Sequence, residues 1–222
     1  MPTDEIVLTA AEARVLGSLM EKEATTPEYY PLSLNALANA CNQRSNREPV
    51  MALGEEEVRQ ALGRLEELGL AELARAAEGR VAKYEHRLGE AFNFSRAETA
   101  LLCVLLLRGP QTVGELRGRT ERIYHFGEIA DVSAGLQKLF ERQPPLAVVL
   151  PRQPGTKEPR YAHLLSGPVE AIAAAPAMAP QPAAGPSDER IERLETSVAE
   201  LQAEVAELRQ RFDKLTEPAQ SD

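Results

Sequence analysis

Residues 9–23 (TAAEARVLGSLMEKE) and 95–109 (SRAETALLCVLLLRG) follow one plan. Each opens on a hydroxyl residue with a glutamate three positions later, the pairing that satisfies the free amides at a helix start. Apolar residues then recur at helical spacing: Val15, Leu16, Leu19 and Met20 in one, Leu101, Leu102, Leu105 and Leu106 in the other. A second helical stretch follows each (32–42 and 112–120), then a third (55–69 and 128–142). Each third helix leads into two short β segments. These are residues 70–76 and 80–87 around AEG, and residues 146–150 and 160–165 around the Pro/Gly-rich PRQPGTKEP. One module is written twice.

Three helices closed by a β-hairpin is the order of a winged helix-turn-helix domain. The expected fold is therefore mainly α with small β-hairpins (α+β): one such domain over 1–88 and a second over 89–167. Residues 168–186, PVEAIAAAPAMAPQPAAGP, are too rich in alanine and proline to build a core and read as a semi-extended linker. A heptad then runs over 187–216, with Ile191, Val198, Val205 and Phe212 at a and Leu194, Leu201, Leu208 and Leu215 at d. β-Branched residues at a with leucine at d favour a parallel two-stranded coiled coil. Arg190 facing Glu195, and Glu204 facing Arg209, agree with it. The expected assembly is a homodimer.

The YYPLSLNALANACNQRSNREPVM stretch (29–51), EEEVRQALGRLEELGL (55–70) and GELRGRTERIYHF (114–126) resemble the YceH-like family of uncharacterised bacterial proteins. The resemblance covers roughly residues 5–166. It implies a cytosolic bacterial protein with two winged-helix domains, and it brings no activity with it.

Charge narrows the function classes. The chain carries −9 overall, which opposes nonspecific binding to nucleic acid by the whole molecule. The balance is −5 over 1–88, +2 over 89–167 and −6 over 168–222, so only the middle third suits phosphates. In a helix-turn-helix the third helix enters the major groove. In the first module that helix begins with Glu55, Glu56 and Glu57, a poor groove reader. In the second it offers Ser133, Gln137 and Lys138, with Arg117, Arg119 and Arg122 on and after the second helix and Arg152, Lys157 and Arg160 on the wing. These nine are the candidate contacts to double-stranded DNA. Glu128 and Asp131 count against them.

The connector ACNQRSNREPVMALG (40–54) is crowded with polar side chains. It is expected mainly to pair its own backbone, with Arg44 and Arg47 bridging to Glu48 or Glu55–Glu57 and with Val50, Met51 and Leu53 as core anchors. The alternative is a recognition loop showing Gln43, Arg44, Asn46 and Arg47 to an unidentified protein partner.

Nothing in the sequence favours an enzyme, a cofactor or a metal centre. His86, His125 and His163 are scattered and read as surface or hairpin residues, and no Gly-rich phosphate loop is present. The longest apolar run, Leu101–Leu107, is too short for a bilayer, and MPTDEIVL is no export signal, so a cytoplasmic location is expected. Cys41 and Cys103 lie on apolar patterns and read as buried free thiols. The reading these features favour is a dimeric DNA-binding regulator. The alternative is a protein-interaction adaptor built on the same two domains.

Overall fold

The computed structural model describes residues 6–74, 81–152 and 158–167. Lys157, the linker and the whole heptad lie outside these residues. All described residues belong to one compact unit.

The first repeat contains α1 (Ala10–Thr25), a 3-10 turn (Pro27–Tyr29), β1 (Leu32–Ser33), α2 (Leu34–Cys41), α3 (Glu55–Glu67), β2 (Ala71–Leu73) and β3 (Lys83–His86). A short helix, α4 (Leu88–Phe92), leads to the second repeat: α5 (Arg96–Arg108), α6 (Val113–Thr120), α7 (Ile129–Phe140), β4 (Ala147–Val149) and β5 (Tyr161–His163). The described residues thus make a mixed α+β fold of seven helices and two small antiparallel sheets. β3 lies between β1 and β2, with Tyr84 opposite both Leu32 and Leu73. β4 pairs with β5, Val148 opposite Ala162. In the second repeat Gln111 makes the isolated bridge to Tyr161, at the place that β1 holds in the first.

The repeated helix starts are built alike. Thr9 Oγ accepts from the Glu12 amide at 3.2 Å while the Glu12 carboxylate accepts from the Thr9 amide at 2.9 Å. Ser95 and Glu98 repeat the exchange at 3.3 and 2.9 Å. Each box fixes where its helix begins.

The apolar stripe expected on α1 is only part of what the helix buries. Every residue from Glu12 to Glu21 is buried, as is every residue from Ala100 to Leu107 on α5. A helix buried all round has neighbours on every side. α1 packs on α2 and α3 of its own repeat and on α5 of the other, and α5 packs on α6 and α7. One continuous hydrophobic core therefore runs through both repeats. At the crossing, a Cβ on Gly17 would lie 2.9 Å from the Leu107 side chain, and the Cys103 thiol donates to the Gly17 carbonyl at 3.4 Å. Gly135 of α7 admits Leu101 in the same way, with only 2.7 Å for a Cβ. The Leu101–Leu107 run is the centre of this packing. Among the described residues no helix is long and apolar enough to cross a membrane.

Candidate interaction surfaces

The connector between α2 and α3 is held from inside by two buried arginines. The Arg47 side chain, 0% exposed, donates from Nε and Nη2 to the Ala40 carbonyl at 3.0 and 2.8 Å. It also donates to the Asn46 carbonyl at 3.0 Å and to the Glu21 carboxylate at 2.6 Å. Arg14 of α1 donates to the Cys41 carbonyl at 3.0 Å and to the Pro49 carbonyl at 2.5 Å. Ala40 and Cys41 end α2, so both guanidiniums sit where the helix leaves carbonyls unpaired and its dipole is negative. Asn42 and Leu53 exchange two hydrogen bonds at 2.7 and 2.8 Å across the loop.

Asn42, Gln43 and Arg47 thus pair internally, with two corrections to the expected anchoring. Arg47 pairs with Glu21 of α1, not with Glu48 or Glu55–Glu57, and its burial removes it from any partner-facing set. Val50 is 57% exposed and Met51 is not among the residues packed on the core, so neither is the expected anchor, whereas Leu53 packs on the core. Of the other loop candidates, Gln43 accepts from Arg47 and Lys22, Asn46 adopts φ 59°, and Arg44 is exposed.

Glu21 also receives an arginine from the second repeat, Arg122, at 3.2 Å. Burial alone would raise its pKa, but the hydrogen bond and charge of Arg47, with Lys22 and Arg122, hold it below the ordinary carboxylate range. Its neighbours in the expected DNA patch are similarly engaged. Arg117 donates to the carbonyls of Phe126 (3.3 Å) and Gly127 (2.7 Å) and so holds the α6–α7 turn. Arg119 bonds Gln111 and lies 3.6 Å from Glu115. Arg160 reaches Glu115 at 2.9 Å and the Pro110 carbonyl at 2.7 Å. Arg119 and Arg160 share Glu115, and Arg119 and Arg122 line one small cavity, so these three gather around carboxylates of their own chain, while Arg117 stays on carbonyls of the α6–α7 turn.

On α7, Ser133, Gln137 and Lys138 are distributed along one helix; Ser133 donates to the Ile129 carbonyl and Gln137 to Glu141. Arg152 is exposed. A cleft of about 310 Å³ opens beside α7, lined by Tyr124, His125, Asp131, Ala134 and Lys138 among others. Ile129, at the start of α7, is 55% exposed. Asp131 accepts from the Glu128 amide, and Glu57 from the Gly54 amide, so acidic residues at both third-helix starts serve as caps. On α3, Arg59 pairs with Glu56 and Arg64 with Glu67, leaving its outer face acidic.

Sequence reasoning misses Arg14, Glu21, Arg108 and Arg142. Arg14, Gly17, Ser18 and Glu21 form a polar or small stripe at helical spacing on an otherwise apolar helix, and that is the available signal. Arg142 joins the end of α7 to the inter-repeat segment, pairing with Glu98 at 2.7 Å, donating to the Phe92 carbonyl at 2.5 Å and lying over the Phe94 ring.

Among the described residues no three His, Cys, Asp or Glu side chains gather as a metal group. Both thiols are free and buried, and burial pushes both pKa values up. His125 is exposed beside Glu121, while the His86 side chain is covered and bonded to Glu23 at 2.9 Å. His163 lies on β5 with Nδ1 buried and unpartnered, and burial lowers its pKa to about 4. The unfolded chain therefore takes up a proton that the folded chain refuses between pH about 6.5 and about 4. Stability should fall by about 2–3 kcal/mol as pH drops through that window. Denaturant titrations at a series of pH values should show the slope, and His163→Phe should remove it.

A family model described as "Protein of unknown function, DUF480" matches residues 8–156. A UPF0502 protein of Koribacter versatilis is 58% identical over 203 residues, spanning 88% of this chain and 91% of the relative. One from Solibacter usitatus is 55% identical, spanning 93% and 98%, and one from Azoarcus sp. is 50% identical, spanning 96% and 94%. On these matches the chain belongs to the DUF480 (UPF0502) family of bacterial proteins, consistent with the YceH-like resemblance.

Proposed function

We propose that this chain is a protein-interaction adaptor, its two winged-helix repeats fused into one rigid platform. The observation that carries this reading is the fate of the arginines. Arg117, Arg119, Arg122 and Arg160 all spend donors on their own chain. A guanidinium already paired with a carboxylate gains less from a phosphate, and freeing it leaves the carboxylate uncompensated. The surface left for recognition is α7 with its cleft. There Ala130, Ser133 and Ala134 allow close approach, Ile129 and Tyr124 offer apolar contact, and Lys138 supplies one cation. Such a face fits a protein segment bearing an apolar side chain beside a carboxylate. The heptad over 187–216 would present two platforms together, in the cytoplasm.

The second reading, a DNA-binding regulator, keeps Ser133, Gln137, Lys138 and Arg152, on α7 and near the wing. Titration of labelled duplex with the folded chain at low salt separates the two. The adaptor reading expects no saturable binding, and capture of a protein by a photo-crosslinker at Ala134 that Ile129→Ser with Lys138→Glu abolishes. Tight, steeply salt-dependent duplex binding that Lys138→Glu and Arg152→Glu abolish would overturn it. Reversing Arg119 or Arg122 is a poor test, because each also breaks an internal contact.

A further inference from the structure

Arg108 closes α5 and is a guanidinium without a carboxylate. Its Nε is buried with no hydrogen-bond partner, and among the described residues its guanidinium makes no ion pair within 4 Å. It lines a small cavity with Arg119, Arg122, Asn46, Glu21 and Leu107, drawn from both repeats. Burial and then the charges of Arg119 and Arg122 lower its pKa, which marks the three cations as mutually repelling neighbours. Nearby charges do not balance. Arg47 answers Glu21, whose other oxygen is turned to Arg122, and Arg160 answers Glu115. Arg119 shares Glu115 with Arg160, and Glu48 and Glu115 are the acids that face Arg108. Five guanidiniums (Arg47, Arg108, Arg119, Arg122 and Arg160) thus share three carboxylates (Glu21, Glu48 and Glu115), an excess of two positive charges beside a desolvated donor, an arrangement that proteins normally satisfy with a counter-ion.

We propose that this inter-repeat cavity binds a phosphate group, with Arg108 Nε as its buried donor, Arg122 adding its remaining donors at the mouth while its contact with Glu21 stays in place, and Asn46 as a further contact. The cavity holds about 10 Å³, room for about one water-sized atom. One phosphate oxygen would enter, and the remaining oxygens would stay at the mouth, where the Arg122 side chain is 56% exposed. A dianion matches the local excess, whereas a carboxylate neutralises only half of it. The site does not depend on the adaptor reading, since none of its residues belongs to the α7 face.

Calorimetric titration of the full chain with inorganic phosphate at pH 7, in constant chloride, tests the site. Saturable binding is expected, with acetate failing to compete. Arg108→Gln should weaken it by roughly tenfold or more, the worth of a charge-assisted hydrogen bond, while Arg152→Gln leaves it unchanged. Asn46→Gly, tolerated by the positive φ, should also weaken it and guards against a folding defect in the arginine variant. A parallel titration with methyl phosphate distinguishes the source: tighter binding than inorganic phosphate indicates a phosphoester, weaker binding the free ion. No saturable phosphate binding by the folded chain, or equal binding by Arg108→Gln, would overturn the proposal.

Discussion

Replacing Arg47 with alanine is expected to destabilise the chain by about 3–5 kcal/mol, the cost of stranding a buried charge. The residue makes five hydrogen bonds in full burial, two of them to the Ala40 carbonyl near the end of α2. Its loss leaves that carbonyl without those donors and Glu21 with only Arg122 and Lys22 nearby. An exposed loop arginine would cost a small fraction of this. Because domain stabilities are about 5–15 kcal/mol, the variant should lose a large share of its stability. Chemical denaturation measures the effect, and a loss below about 1 kcal/mol would place Arg47 outside the core. Glu21→Gln supplies the matching acid test. Since the folded carboxyl titrates below its ordinary 4.5, its contribution is complete above that pH and disappears as pH falls through the folded pKa. The glutamine variant should lack that part of the acid transition.

Gly17→Leu is expected to cost about 3 kcal/mol, the upper range for overpacking. A Cβ at this position would stand 2.9 Å from two Leu107 atoms and 3.1 Å from Leu106 Cβ, so α1 and α5 would have to separate. Gly63 on α3 provides the contrast. A Cβ added there would meet nothing within 4 Å, so Gly63→Ala should stabilise by about 0.5–1 kcal/mol through helix propensity alone. Thermal melts of both variants against the parent chain give the two signs. A neutral Gly17→Leu would mean that the helices are not in contact there.

The parts of the fold legible in the sequence are those set by local chemistry. The capping boxes at Thr9 and Ser95 and the 3.6-residue stripes locate the starts of α1 and α5 to within about a residue. β1 is not legible because two residues carry no alternation, and its pairing with β3 is fixed by tertiary contact. The polar connector does satisfy itself, through Asn42 as its residue type suggests, but the partner of Arg47 is not the one that sequence proximity picks out. Proximity favours adjacent acids, whereas the carboxylate lies 26 positions earlier on α1. The arginine patch shows a related limit. Clustering by sequence finds Arg117, Arg119, Arg122 and Arg160, but their acceptors at Gly127, Gln111, Glu21 and Glu115 become neighbours only after folding. Buried Arg14 and Glu21 break the rule that charges lie outside, and paired or carbonyl-bound charges are its usual exceptions.

That the two repeats form one body, through α1 against α5 and through Glu21 between Arg47 and Arg122, is tested most directly by native-state hydrogen exchange on the full chain. With rising denaturant, the most protected amides of α1 and α5 should merge into a single opening reaction with one free energy and one denaturant slope. Exchange of α5, α6 and α7 through a separate opening of lower free energy, with α1 left protected, would contradict the account.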